Sequence, residues 1–347
     1  PRVALDSVSR VPKPLLLIDG NSLTYRAFFA LPTDMATASG QVTNAVFGFT
    51  SMLINLLRDH DPDGVAITFD LPEPTFRHEA NPEYKANRDS APDILRQQMG
   101  LVREVVDALA FPVIELPGYE ADDILATLAT RARDAKRPVI IVTGDRDTYQ
   151  LVEDPYISVL YNKRGVSDYA LYDEAGILER TGVKPVDYVA YAALRGDNSD
   201  NLPGVPGVGE KTAAKLINTY GGLDGIFAAV DDQTPKLRQN LTEHEAQARM
   251  NQRLMQLVRD APVDIDLDSL QPGEPDHEEI RRLFDFLEFR SLHERLAEVI
   301  GGGASGGQRE VLEAEVRTFE TAGETAEALS WIGDARPVAI GIDDAEP

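Results

Sequence analysis

Pro14-Leu15-Leu16-Leu17-Ile18-Asp19-Gly20 is a short apolar run that stops on an aspartate and a glycine. Four consecutive branched apolar side chains leave no polar face, so the run reads as a strand buried on both sides, ended by turn residues. The same form recurs in Gly64-Val65-Ala66-Ile67-Thr68-Phe69, closed by Asp70, and in Pro138-Val139-Ile140-Ile141-Val142-Thr143, closed by Gly144-Asp145. Pro112–Leu116 and Ile157–Tyr161 are weaker strand candidates. Helical stripes lie between them: Thr43 to His60, with Val46, Phe49, Leu53, Leu56 and Leu57; Asp93 to Leu109, following Pro92; and Ala121 to Ala135, with Ile124, Leu125, Leu128 and Ala132. Alternating strands and helices predict an α/β fold with a mostly parallel central sheet flanked by helices. Ligands of such sheets sit at the carboxyl ends of the strands, where Asp19, Asp70 and Asp145 stand.

From about Val183 the pattern turns helical, and Val263-Asp264-Ile265 is the next strand candidate. The expected division is an α/β core over 1–182, a helical part over 183–300 and a Gly-rich linker over 301–309. Residues 310–347, whose last apolar run spans 337–342, read as the start of a following domain that is cut short.

Of 347 residues, 43 % are hydrophobic and none is cysteine, which excludes disulfides and thiolate metal sites. No apolar run approaches the ~18 residues of a membrane helix, and Pro1 to Lys13 lacks the apolar stretch of a signal peptide. A cytoplasmic monomer with no membrane contact is the expectation. The net charge of −24 argues at first against a nucleic-acid partner. Ten acids against three bases fall within residues 301–347, however, and net charge is not field distribution.

Acids concentrate at five probable strand or helix ends: Asp19; Asp70; Glu120, Asp122 and Asp123; Asp145 and Asp147; Asp197 and Asp200. One such aspartate is ordinary turn chemistry. Three strands presenting one at the same edge, beside a helix start that puts Glu120 and Asp123 on one face, is a cluster. Two carboxylates ~4 Å apart repel by ~4 kcal/mol at an effective dielectric of 20, so the cluster demands a cation. An all-oxygen set favours Mg²⁺ or Mn²⁺ over Zn²⁺. Several carboxylates suit two ions, with a third left open, clamping the attacking and leaving oxygens of a phosphodiester. An aspartyl-nucleophile phosphatase fits poorly, since Asn21 stands where its second aspartate belongs.

Leu202-Pro203-Gly204-Val205-Pro206-Gly207-Val208-Gly209-Glu210-Lys211-Thr212-Ala213-Ala214-Lys215-Leu216 reads as a glycine hairpin feeding a helix. Gly204, Gly207 and Gly209 would let backbone N–H groups approach phosphate, and Lys211 and Lys215, four apart, could touch the same strand. An ordinary Gly-Pro turn is the plainer alternative. Arg77, Tyr84, Lys85 and Arg88 form a polar stretch suited to stacking and phosphate contact on a single strand, or to a solvated helix face.

From about Pro14 to Leu296 the chain resembles the 5′-nuclease domains of bacterial DNA polymerase I, within the wider flap-endonuclease family. The resemblance rests on Leu17-Ile18-Asp19-Gly20-Asn21-Ser22 with Tyr25-Arg26, Thr43–Phe49, Phe69-Asp70, Thr75-Phe76-Arg77, and Tyr84-Lys85 with Arg88. It continues through Gly118–Asp123, Thr143–Asp147, Gly196–Asn201 and the hairpin. It implies a two-metal 5′-3′ exonuclease and flap endonuclease acting on branched or nicked DNA with a 5′ single-strand end, in primer removal and repair, with a polymerase domain in the same full-length chain. Asp19, Asp70, Glu120, Asp122 and Asp123 resemble one ion's shell; Asp145, Asp147, Asp197 and Asp200 resemble the other's. Residues 71–98 would form a helical arch, with Tyr84, Lys85 and Arg88 meeting the scissile region and Arg26 nearby. The hairpin would be a helix-hairpin-helix grip on duplex, with Arg77 also on DNA. At 341–343 the sequence reads Gly-Ile-Asp, departing from the Asp-x-Glu motif of the proofreading-type domain that follows in those polymerases. A metal-dependent ribonuclease and a non-catalytic branched-DNA-binding module are the alternatives. The ribonuclease has little reason for the hairpin, and the binding module predicts missing carboxylates.

Overall fold

The computed structural model describes residues 12–300; the expected linker and the segment 310–347 lie outside them. Leu15–Asp19 (β1) is buried along its whole length. It leads directly into Gly20–Ala30 (α1), which Asp19 caps by accepting a bond from the Ser22 amide at 2.8 Å. Asn44–His60 (α2) returns the chain to Gly64–Thr68 (β2), also wholly buried. Phe76–Ala80 (α3), Asp93–Ala108 (α4), Val113–Ile114 (β3), Ala121–Asp134 (α5) and Val139–Thr143 (β4) follow. Ile157–Arg164 (β5) and Asp168–Tyr172 (β6) complete the sheet.

The six-stranded sheet runs β3-β2-β1-β4-β5-β6, with every pair parallel except β5 with β6. Leu15, Leu17 and Ile141 face one core, built with α5; Leu16, Ile18, Ile67 and Val142 face the other, built with α2 and α4. Burial on both faces explains why these strands are apolar without alternation. β6 escaped the sequence reading because Asp168–Tyr172 is an edge strand whose residues are exposed or half-buried, without a buried apolar run.

The rest is helical: Glu174–Thr181 (α6), Tyr188–Arg195 (α7), Glu210–Tyr220 (α8), Leu223–Ala228 (α9), Pro235–Glu243 (α10), Glu245–Met255 (α11), His277–Phe286 (α12) and Arg290–Ile300 (α13). Gly196–Asp197 (β7) and Leu202–Pro203 (β8) form a two-residue antiparallel pair. The α5 core continues through α7, α8, α9 and α11 without interruption. Val263–Ile265 is not a strand. Arg131 takes its backbone instead, donating to the carbonyls of Val263 at 2.8 Å and Ile265 at 3.2 Å. Within residues 71–98, α3 is one turn and a half, turns cover 82–87, and the start of α4 buries Leu95 and Gln98 in the body.

Candidate active site

Three strands deliver their aspartates to one edge. Asp19 ends β1, Asp70 lies two residues past β2 and Asp145 two past β4. Thr143 Oγ1 donates to Asp19 Oδ2 at 2.9 Å and accepts from the Asp145 amide at 3.0 Å, tying two of these ends together. Asp70 accepts from the Ala121 amide at 2.7 Å, which brings the start of α5 to the same place. Burial, ahead of repulsion from Asp70 and Asp145, pushes the Asp19 carboxyl up to about 7. Asp122 is held well above the carboxylate range by burial and then by Asp145, Asp19 and Asp70.

Asp145, Asp147, Asp197 and Asp200 gather beside them. The Asp147 amide donates to Asp145 Oδ1 at 2.8 Å. Burial raises Asp147 well above its ordinary value, with repulsion from Asp145, Asp200 and Asp197 added. Asp197 caps its own turn by accepting from the Ser199 amide at 2.7 Å, and Arg195 approaches its other oxygen at 3.7 Å.

Two expectations change here. Asp123 is fully buried, and both its oxygens are taken: by Arg77 at 2.6 and 2.8 Å, by the Val258 amide at 2.9 Å and by the Glu120 amide at 3.1 Å. With two donors on each oxygen, its charge is spent on Arg77 and on backbone amides. Arg77, 1 % exposed, also donates to the Leu254 carbonyl at 2.7 Å, so it cannot reach DNA.

The segment after α3 lies across the carboxylates. Lys85 Nζ donates to Glu120 Oε1 at 2.9 Å and Arg88 to Asp200 Oδ1 at 2.6 Å. Burial alone would raise Glu120, but Lys85 and Arg77 outweigh it and hold it below its ordinary value. Tyr84 is buried, so its ring is no stacking platform; its hydroxyl lies against Glu120 and Asp200. Asn87 and Arg88 bond the carbonyls of Asn198 and Ser199, and Asn201 bonds that of Glu83. Arg26 stands apart, on the Asn162 carbonyl at 3.2 Å, in a cleft of about 540 Å³ that it shares with Ser22, Tyr25, Phe29, Gly144 and Arg164.

The hairpin divides its glycines between two jobs. A Cβ at Gly204 would lie 2.1 Å from the Arg195 carbonyl oxygen, so Gly204 packs on α7 instead of facing a ligand. Gly207 has φ +80°, and a Cβ at Gly209 would meet nothing within 4 Å. Asn240 holds the turn by donating to the Pro206 carbonyl at 2.6 Å. Lys211 and Lys215 are exposed on α8.

Asn21 and Arg195 were missed in the sequence. Asn21 Nδ2 donates to Asp70 Oδ2 at 3.2 Å, and its place in the Asp-Gly-Asn-Ser run was the available signal. Arg195 lies beside Asp197 and 3.8 Å from Glu210, the first residue of α8. Nothing local in sequence marks it.

Two oxygens of the site are left open to a cation. Asp122 Oδ1 and Asn21 Oδ1 are buried with no hydrogen-bond partner, a cost of ~1–3 kcal/mol for a polar atom and more for a charged one. Among the described residues, no three acids are grouped closely enough to hold an ion as they stand. Hard cations that keep their waters suit such spacing.

The 5′-3′ exonuclease N-terminal, resolvase-like domain matches residues 14–182, and the 5′-3′ exonuclease C-terminal SAM fold matches residues 183–278. The chain belongs to the 5′-3′ exonuclease family. It is 48 % identical over 304 residues to DNA polymerase I of Mycobacterium tuberculosis, covering 87 % of this chain and 33 % of the relative. With DNA polymerase I of Bacillus caldotenax it shares 42 % over 285 residues, 82 % and 32 % of the two chains. The chain thus spans about a third of the length of the curated relatives it matches. Among solved structures, this 5′-3′ exonuclease fold is similar to the bacteriophage T5 D15 flap endonuclease in a complex with DNA and metal ions. The TM-score is 0.59 at 22 % identity, over 79 % of this chain and 99 % of that one. The catalytic core of Rad2 in complex with DNA gives 0.55 at 18 %, over 84 % and 92 %. At such identities the likeness concerns the fold.

Proposed function

We propose that this 5′ nuclease is metal-dependent and structure-specific, hydrolysing DNA phosphodiesters where a 5′ single strand meets duplex. The observation that carries the reading is the set of carboxylates at the strand ends, with Asp122 Oδ1 buried and unpaired and with Lys85 and Arg88 bonded to Glu120 and Asp200. Asp19, Asp70, Glu120 and Asp122 would hold one ion, and Asp145, Asp147, Asp197 and Asp200 a second, Mg²⁺ or Mn²⁺ by the chemistry of the donors. The chemistry supplied by bound ions is neutralisation of the phosphodiester and a lowered pKa for the attacking water.

The chain's own groups do the rest. Lys85 and Arg88 are positive charges on a short segment, positioned to pass from Glu120 and Asp200 to a phosphate as substrate arrives. A guanidinium and an ammonium placed there stabilise charge that develops on the transferring group. Gly207 and Gly209 leave backbone open to a duplex phosphate, with Lys211 and Lys215 beside them. Contact through N–H groups lets an acidic chain hold DNA. In a full-length protein the nuclease would be followed by polymerase parts.

A 5′-labelled flap duplex, with Mg²⁺ or with chelator, tests this. Metal-dependent release of products cut near the junction is expected, with Asp145→Ala and Asp200→Ala lowering turnover by orders of magnitude while flap binding persists. Normal Mg²⁺-dependent cleavage by both variants sinks the assignment. Binding without cleavage by the unaltered chain favours the non-catalytic module, and preference for an RNA strand favours the ribonuclease.

A further inference from the structure

A single hydroxyl joins the two carboxylate groups. Tyr84 Oη lies 3.1 Å from Glu120 Oε2 and 3.0 Å from Asp200 Oδ2. Glu120 stands with the Asp19 group and Asp200 with the Asp145 group, so the phenol spans the boundary between them. The ring is fixed where it is. His78 meets it edge-on at 5.4 Å, the Lys85 ammonium lies 4.9 Å from its centroid, and the Lys85 amide donates to the Asp200 carbonyl at 3.0 Å. A phenol carries one proton and donates it to one acceptor at a time. The two distances mean that the facing oxygens are no further apart than the two contacts laid end to end.

We propose that Tyr84 is a positioning residue that sets the spacing of the two carboxylate groups and links the binding of one divalent ion to the binding of the other. The inference rests on the reading above, that these groups hold ions. Glu120 becomes a weaker acceptor when its charge is drawn toward a cation. The Tyr84 O–H, still protonated, would then donate to Asp200 alone and hold the rotation of that carboxylate. Coupling of this kind is reciprocal.

Tyr84→Phe removes the hydroxyl and keeps the ring. Calorimetric titration of the metal-free 347-residue chain with Ca²⁺ alone should show two linked ions in the unaltered protein. In the variant the two events should separate, with the weaker one lowered about tenfold, the scale of a lost hydrogen bond to a charged group. Single-turnover flap cleavage in Mg²⁺ should fall while the dissociation constant for flap DNA stays the same, and melting of the metal-free protein should shift by no more than the loss of one hydrogen bond. If the variant melts lower than that, Mn²⁺ spin coupling measured on the folded protein in the cold replaces calorimetry, and weakened coupling is then expected. Identical isotherms or identical spin coupling in the two proteins overturn the role of Tyr84 alone. Failure of the unaltered chain to bind any ion overturns it together with the metal-site reading.

Discussion

Arg77 and Asp123, far apart in sequence, meet through two parallel bonds of 2.6 and 2.8 Å with neither side chain reaching solvent. Removing one partner of a buried pair strands the other charge, at a cost of ~3–5 kcal/mol. Arg77→Ala should therefore lower the urea midpoint sharply and reduce cleavage only through loss of folded protein. A stably folded Arg77→Ala that fails to bind flap DNA would return Arg77 to the interface.

Lys85 and Arg88 should act on rate more than on affinity, because each contacts a carboxylate of the cluster, not a distant surface. Lys85→Ala and Arg88→Ala are expected to slow single-turnover cleavage by ~10²-fold or more, the scale of a lost electrostatic contact in a transition state. The dissociation constant should change far less. Weakened binding at an unchanged rate would place them on duplex instead.

The hairpin glycines should separate in experiment. Gly204→Ala forces a Cβ onto the Arg195 carbonyl and should destabilise the protein. Gly209→Ala enters open space, so melting should hold while duplex affinity drops. Gly207→Val puts a β-branched residue at φ +80°, with a strain of ~1–2 kcal/mol and weaker duplex protection in a footprint. Equal melting temperatures for Gly204→Ala and Gly209→Ala would refute this division.

Removing Lys211 or Lys215 should weaken binding evenly across DNA sequences. Each loss should also reduce the salt slope of affinity by about one, as one fewer phosphate is neutralised. Anisotropy titrations at several salt concentrations read the slope directly, and an unaltered slope in both variants removes these lysines from the DNA.

Stability of the metal-free protein should depend on pH in an unusual direction. Asp19 rises from 3.8 to about 7 in the folded state, so between those values the folded chain binds more protons than the unfolded one. For this group stability is then full below about pH 4 and is lost as pH climbs through about 7. Divalent ions should cancel the decline. Denaturant titrations in chelator at several pH values check it, and a rise in stability over that range would contradict the buried, repelled carboxyl.

The sheet was legible because β1, β2 and β4 are buried on both faces and run apolar until a polar last residue, Asp19 in β1 and a threonine in β2 and β4. Val263–Ile265 misled for a related reason: Val263 is buried, but its carbonyl pairs with a side chain, and alternation in sequence cannot distinguish that from a ladder. At the site, strand-end aspartates announced themselves by position. The departure of Asp123 from its neighbours did not, since it depends on an arginine 46 residues upstream. The glycines of the hairpin look alike as letters, and only the approach of α7 separates Gly204 from the other two.

The contacts that fix the start of α5 come from late in the chain. Arg77 bonds the Leu254 carbonyl, and Asp123 accepts from Val258. During synthesis, residues 19 to 200 would emerge with every cluster carboxylate already made, yet the arginine and acid that brace the cluster would lack their last two partners until residue 258 had cleared the ribosome. The activity should therefore switch on late and abruptly in translation, so that a half-made chain would not be a loose nuclease beside nucleic acid. Nascent chains stalled before and after that point, assayed on flap DNA, would show the step.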